Sequence, residues 1–216
     1  MAPSSVQEAV DLTMEAFELA DKYRNPVLIL GDGMIGQMME PCEFPEPINI
    51  EELPEKPWAT DGAEGREKNV INSLYLDDDV LEDFNWKLKD KYERMQQEDV
   101  KYETYQLEDA EIVLIAYGTT ARISLSALEK ARNQNIKVGM IRPITLFPFP
   151  KKIIAETSSR VDKILTLELS TGQMLEDVQL AVKDKERVYF QGWPGGNTPS
   201  PGEIYEEIVK IQEREV

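Results

Sequence analysis

Apolar and polar positions follow two different regimes along this chain. Near the start, Ala9, Val10, Thr13, Phe17 and Ala20 recur at three- and four-residue spacing, the period of one helix face. Ser5-Val6-Gln7-Glu8 just before them reads as a capping box, with Ser5 covering orphan amides and Glu8 reaching back, so a helix is expected to about Lys22. Asn25-Pro26 stops it, and Val27 to Leu30 is an apolar run of strand length. From Glu111 onward, apolar runs and helical patterns alternate. Strands are expected at Ile112–Tyr117, Lys137–Ile141, Lys163–Leu169 and Val188–Gln191. Gly118-Thr119-Thr120 reads as a turn before a helix from Ala121 to about Asn133, carried by Ile123, Leu125, Ala127, Leu128 and Ala131. Pro150 suits the first position of a short helix through Ile153 and Ile154. Ser170-Thr171-Gly172-Gln173 reads as a second capping box, opening a helix to about Val182, and Pro201 opens the last one through Ile204, Ile208 and Ile211.

Between these regimes the pattern breaks down. Pro41, Pro45, Pro47, Pro54 and Pro57 crowd one stretch, Gly62 and Gly65 follow, and Asp77-Asp78-Asp79 adds a charge run that reads as solvated surface. Helical spacing returns from Val80 to about Glu98 through Leu81, Phe84, Leu88 and Tyr92. Residues 46–109 are therefore expected to be an acidic, proline-rich connector with one or two helices. Strands alternating with helices from residue 110 on imply α/β architecture, a small doubly wound and mostly parallel sheet. The first helix and strand cannot bury both faces alone, so residues 1–45 are expected to be the remnant of a domain that the chain enters part-way through.

Composition narrows the chemistry. At 216 residues the chain holds one large domain, or one smaller domain plus extra material. A formal charge of −17 argues against nucleic acid or an anionic membrane as partner. Without any histidine, the commonest general base and imidazole metal ligands are missing. Cys42 is alone, so neither an iron–sulfur cluster nor a thiolate zinc site can be built here. No apolar segment has the length of a membrane span and the N-terminus lacks the pattern of a signal peptide, which leads us to expect a cytoplasmic protein with no catalytic or metal-ligating residue of its own.

Candidate sites are few, and each has a plainer alternative. Gly31-Asp32-Gly33-Met34-Ile35-Gly36 matches the dinucleotide fingerprint G-x-G-x-x-G, but the nearby prolines leave little room for the helix that fingerprint needs, so a glycine-bent strand end is the expectation. Gly118, Thr119, Thr120 and Arg122 open a helix after a strand and could hold an anion; alternatively Gly118 makes the turn and Thr119 or Thr120 caps the helix. Glu168 ends a strand at the edge where α/β sheets place ligands, or is a surface or capping acid. Arg142 to Pro150 is a proline-fixed apolar loop, either core packing or a subunit contact, with Phe147 and Phe149 as interface candidates. Trp193 to Pro201 has no charged side chain and is rich in glycine and proline; its Trp193, Gly195 and Gly196 are expected to shape an interface.

Taken together, Gly31 to Pro41, Ala116 to Arg122, Gly139 to Pro150, Gly172 to Asp177 and the Gly192 to Pro201 tail resemble the α subunit of 2-oxoacid:ferredoxin oxidoreductases, near the branched-chain and 2-oxoglutarate types. The resemblance runs in order over nearly the whole chain. It implies an enzyme that decarboxylates a 2-oxoacid, makes an acyl-CoA and passes electrons to ferredoxin. By the same resemblance, thiamine diphosphate lies between this kind of subunit and a partner subunit, iron–sulfur clusters sit on other polypeptides or domains, and coenzyme A is a substrate. Residues 110–216 would resemble the transketolase C-terminal domain, used chiefly for assembly, and residues 1–45 would close the preceding pyrimidine-binding domain. The part that would carry the carboxylate activating thiamine has no counterpart here. The chain thus looks like a C-terminal portion or a split gene product, inactive alone and working through other subunits. The competing readings are a stand-alone module binding a small anion or nucleotide, and a nicotinamide enzyme using Gly31 to Gly36.

Overall fold

The computed structural model describes residues 1–49, 51 and 53–214. Its centre is a five-stranded sheet of β1 (Tyr102–Tyr105), β2 (Ile112–Ala116), β3 (Val138–Pro143), β4 (Lys163–Glu168) and β5 (Val188–Gly192), in the order β1-β3-β2-β4-β5. β2, β3, β4 and β5 run parallel, and β1 joins β3 antiparallel with Tyr102 opposite Pro143. Every residue of β2, β3 and β4 is buried, because helices cover both faces. Ile112, Leu114, Val138, Met140, Leu165 and Leu167 point into one core with α3 (Gly118–Asn133) and α6 (Pro201–Gln212). Val113, Ile115, Ile141 and Ile164 point into the other with α4 (Lys151–Ser158) and α5 (Gln173–Ala181). This two-sided burial is why the strands read as unbroken apolar runs.

The remaining helices are α1 (Val6–Tyr23) and α2 (Asp78–Glu98). Ser5 caps α1 by accepting from the Glu8 amide, as expected. Glu8 does not close the box on Ser5. It accepts from the amide and hydroxyl of Ser4 and takes both guanidinium nitrogens of Arg142, at 2.7 and 2.5 Å. Arg142 is 3 % exposed and also donates from Nε to Glu103 on β1. This buried pair fastens α1 to the end of β3.

Four expectations need correcting. Val27 to Leu30 forms no strand: among the described residues only Met1 bonds to its backbone, accepting from the Leu30 amide and donating its ammonium to the Leu28 carbonyl. A ladder needs a neighbour along its length. Gly118 to Thr120 are the first turn of α3 rather than a loop before it. The Ser170 box does not form, because α5 starts after Gly172 with no side-chain cap of its own; the Glu168 carboxylate takes the amides of Met174 and Leu175 instead. β1 was read as connector. It is a short edge strand, and Gly139 opposite its end must be small, since a Cβ there would lie 2.7 Å from the Gln106 carbonyl.

Candidate functional site

The connection after β2 leads through α3 toward β3, and the one after β4 leads through α5 toward β5. The strand order therefore reverses between β2 and β4, the point at which open α/β sheets place ligands. Tyr117 and Gly118 follow β2 there, and Leu169 and Ser170 follow β4. Leu30, Gly31 and Asp32 lie across this edge, and with Tyr117, Gly118, Thr120 and Leu169 they line a cleft of about 190 Å³.

Two carboxylates dominate its electrostatics. The exposed amides that open a helix attract negative charge, and at α3 the charge is supplied by Asp32. Its oxygens accept from the Thr119 amide at 3.0 Å and hydroxyl at 2.8 Å, and from the amides of Met34 and Ile35 at 3.0 Å each. Burial alone would raise the Asp32 carboxyl, but these donors, led by the Ile35 and Thr119 amides, hold it below the ordinary carboxylate range. Gly118 has φ +59°, and a Cβ there would sit 3.0 Å from the Asp32 carboxylate, so glycine adopts this left-handed conformation without strain and leaves the carboxylate its place. At α5 the charge is Glu168, 1 % exposed, which binds the two helix amides and the Ser170 hydroxyl at 2.7 Å. Burial, followed by the Glu168 charge, pushes the Tyr117 phenol up.

The sequence-derived candidates are distributed unevenly over this edge. Gly118, Thr119 and Thr120 lie together at the α3 terminus, with Glu168 on the adjacent strand. Arg122 turns away, pairing with Glu40, which also accepts from the Val6 amide. Neither Thr119 nor Thr120 caps the helix with its side chain. Of the interface candidates, Phe147 is exposed and meets Tyr92 edge-on at 5.8 Å. Phe149 is buried in the second core. Trp193 packs against the first core, while Gly195 and Gly196 form an exposed positive-φ turn. Asp32 and Glu40, which strap the Gly31–Glu40 segment onto α3 and α1, were missed. An acid between two glycines at the end of an apolar run was the available signal. The loop leads only into a 3₁₀ turn, Ile35–Gln37, so the helix a dinucleotide site needs does not follow it, and the nicotinamide reading is set aside.

Two family models divide the chain in order. One, pyruvate flavodoxin/ferredoxin oxidoreductase, thiamine diphosphate-binding, matches residues 1–104, and the other, pyruvate:ferredoxin oxidoreductase core domain II, matches residues 110–204. The chain belongs to the 2-oxoacid:ferredoxin oxidoreductase family. Among relatives of that family, it is 47 % identical to the ketoisovalerate oxidoreductase subunit VorB of Methanothermobacter thermautotrophicus, over 98 % of this chain and 59 % of that protein. It is 31 % identical to the 2-oxoglutarate synthase subunit KorA of Methanocaldococcus jannaschii, over 97 % of this chain and 62 % of that one. The chain thus spans about three-fifths of the length of these relatives. Its fold is that of a 2-oxoglutarate:ferredoxin oxidoreductase from Magnetococcus marinus, solved with 2-oxoglutarate, coenzyme A and succinyl-CoA bound. The TM-score is 0.78 at 18 % identity, over 98 % of this chain and 41 % of the other.

The family implies thiamine diphosphate, and the residues at the switch edge do not fit its diphosphate. Both helix N-termini there already hold a carboxylate of this chain, and a second anion would meet Asp32 or Glu168 at hydrogen-bond range. No group of three or more acids or cysteines among the described residues is arranged to hold a metal ion. None of the described helices is long and apolar enough to cross a membrane.

Proposed function

We propose that this chain is the C-terminal part of a subunit of a thiamine-diphosphate-dependent 2-oxoacid:ferredoxin oxidoreductase, which converts 2-oxoacid, coenzyme A and oxidised ferredoxin to acyl-CoA, carbon dioxide and reduced ferredoxin. The observation that carries the proposal is the in-order match of two oxidoreductase domains along one chain. Residues 1–45 close the pyrimidine-binding domain, 46–109 connect, and 110–216 form the transketolase C-terminal-like domain. Leu28 and Leu30, exposed on one face of an extended run, support this, since a strand apolar on both faces belongs in a sheet covered on both sides. The chain's part is assembly and shaping of the site. Thiamine diphosphate, the iron–sulfur clusters and the coenzyme A contacts lie on other segments or subunits of a cytoplasmic hetero-oligomer. The higher identity to the ketoisovalerate enzyme than to the 2-oxoglutarate enzyme favours a branched-chain substrate.

The stand-alone anion-binding alternative is not retained, because the comparisons fit the oxidoreductase reading, and Asp32 and Glu168 fill the termini it would use. The test is to purify the protein with its natural partners and follow coenzyme-A-dependent reduction of ferredoxin. We expect ketoisovalerate to exceed 2-oxoglutarate by roughly 10-fold or more in kcat/KM. A reversed preference would overturn the substrate assignment. A partnerless, inactive chain would overturn the whole proposal.

A further inference from the structure

The end of the connector and the first half of α2 carry apolar side chains that this chain leaves in water. Val70, Ile71, Leu74 and Leu76 are exposed, Leu76 to 88 %, and so are Val80, Leu81 and Trp86 on the helix. Tyr75 stacks on Phe84 with centroids 4.8 Å apart, which holds the connector against the helix so that both present their apolar residues together. Of the whole 21-residue helix only Met95 is buried. Leu81 and Trp86 line a shallow groove with Asp78, Glu82 and Asn85. Exposed apolar clusters of this kind mark contact surfaces.

The charge around the cluster selects the occupant. Between Asp77 and Trp86 the chain carries Asp77, Asp78, Asp79, Glu82 and Asp83 and no cation; Lys87 follows directly, and Lys89 reaches over the Trp86 ring from one turn further on. A second copy docking through the same patch would bring these carboxylates against their own likeness, which costs several kcal/mol. Nucleic acid and anionic membranes are repelled for the same reason. We infer that this face docks a companion polypeptide of the same oxidoreductase, through a surface that is apolar at its centre and rimmed by lysine or arginine. The inference rests on the proposed function, because it takes the companion from that enzyme. The apolar centre supplies burial, and the charged rim supplies orientation and rejection of wrong partners.

The assembled enzyme provides the test. A photo-crosslinking residue replaces Leu76 or Trp86, and the products are mapped by mass spectrometry. Both positions are expected to cross-link to a different polypeptide beside its lysines or arginines. In a second arm, Asp78→Lys, Asp79→Lys, Glu82→Lys and Asp83→Lys are combined, leaving the helix-capping Asp77 in place. That variant should retain at least about fivefold less partner through purification, with an unchanged far-UV circular dichroism spectrum. Cross-links within the chain, between two copies, or to nothing overturn the inference, as does full partner retention by the charge-reversed variant. Ferredoxin reduction by the same preparation separates the two claims. An active enzyme cross-linked elsewhere sinks only the docking face, whereas an inactive chain without partners sinks both.

Discussion

Arg142 shows how much of this fold hangs on single side chains paired across long sequence distances. Its guanidinium is nearly dry and answers Glu8, Glu103 and the Ser4 hydroxyl at once. Removing one member of such a pair costs more than the pair contributes, because the other charge is left half-buried. Arg142→Met is therefore expected to lower stability by about 3 kcal/mol, and adding Glu8→Leu should recover most of it, as measured by urea unfolding. The pH dependence has a definite sign. Burial alone would raise the Glu8 carboxyl, but the Arg142 and Ser4 hydrogen bonds hold it below its ordinary 4.5. Its stabilising effect is complete above that value and is lost as pH falls through the lower folded-state value. In Arg142→Met burial is no longer offset by the guanidinium, so this acid-side loss should shrink or reverse. Sequence reading could not reach the pair. It placed Arg142 at the head of an apolar loop and Glu8 in a local cap, and no short-range pattern joins residues 134 positions apart.

The elements that were legible are those whose surroundings are uniform. β2, β3 and β4 are buried on both sides and so announce themselves as apolar runs, and α3 and α6 carry clear helical stripes. β1 escaped because Tyr102-Glu103-Thr104-Tyr105 is short, polar and half in water at a sheet edge, within a stretch whose prolines and charges signal a connector. The start of α5 was misread because a carboxylate from β4 outcompeted the local Ser170. α6 hides a similar dependence at its other end. Lys163, read only as the first residue of a strand, is 7 % exposed, and its Nζ donates to the carbonyls of Ile211, Gln212 and Arg214, satisfying groups that a helix C-terminus leaves open. Lys163→Met keeps the aliphatic stem and loses the donors. We expect a cost of about 1–3 kcal/mol and faster amide hydrogen exchange in the last turn of α6, with protection of β2 and β4 unchanged. Equal exchange in both proteins would show that the cap does not hold that turn.

On the scale of the molecule, the family and the α/β architecture were legible because their motifs run in order along the chain. The straps between the first 40 residues and the sheet were not legible, since Asp32 on Thr119, Glu40 on Arg122 and Glu8 on Arg142 form only in space. They also make the sheet dependent on what precedes it. A chain starting at residue 106 would leave Arg142 without Glu8 or Glu103 and the β3 edge bare, and bare edges recruit other chains. It should elute as aggregates in size-exclusion chromatography; a stable monomer would refute that dependence. The β1–β3 pairing bears finally on how such genes divide. The two family matches part between residues 104 and 110, yet all of β1 but its last residue lies in the first match and is bonded to the second. Recombination at that seam would separate a strand from its own sheet. A gene that splits and still yields two halves able to reassemble should break upstream, in the exposed stretch 53–76, so that β1 is inherited with the sheet it completes.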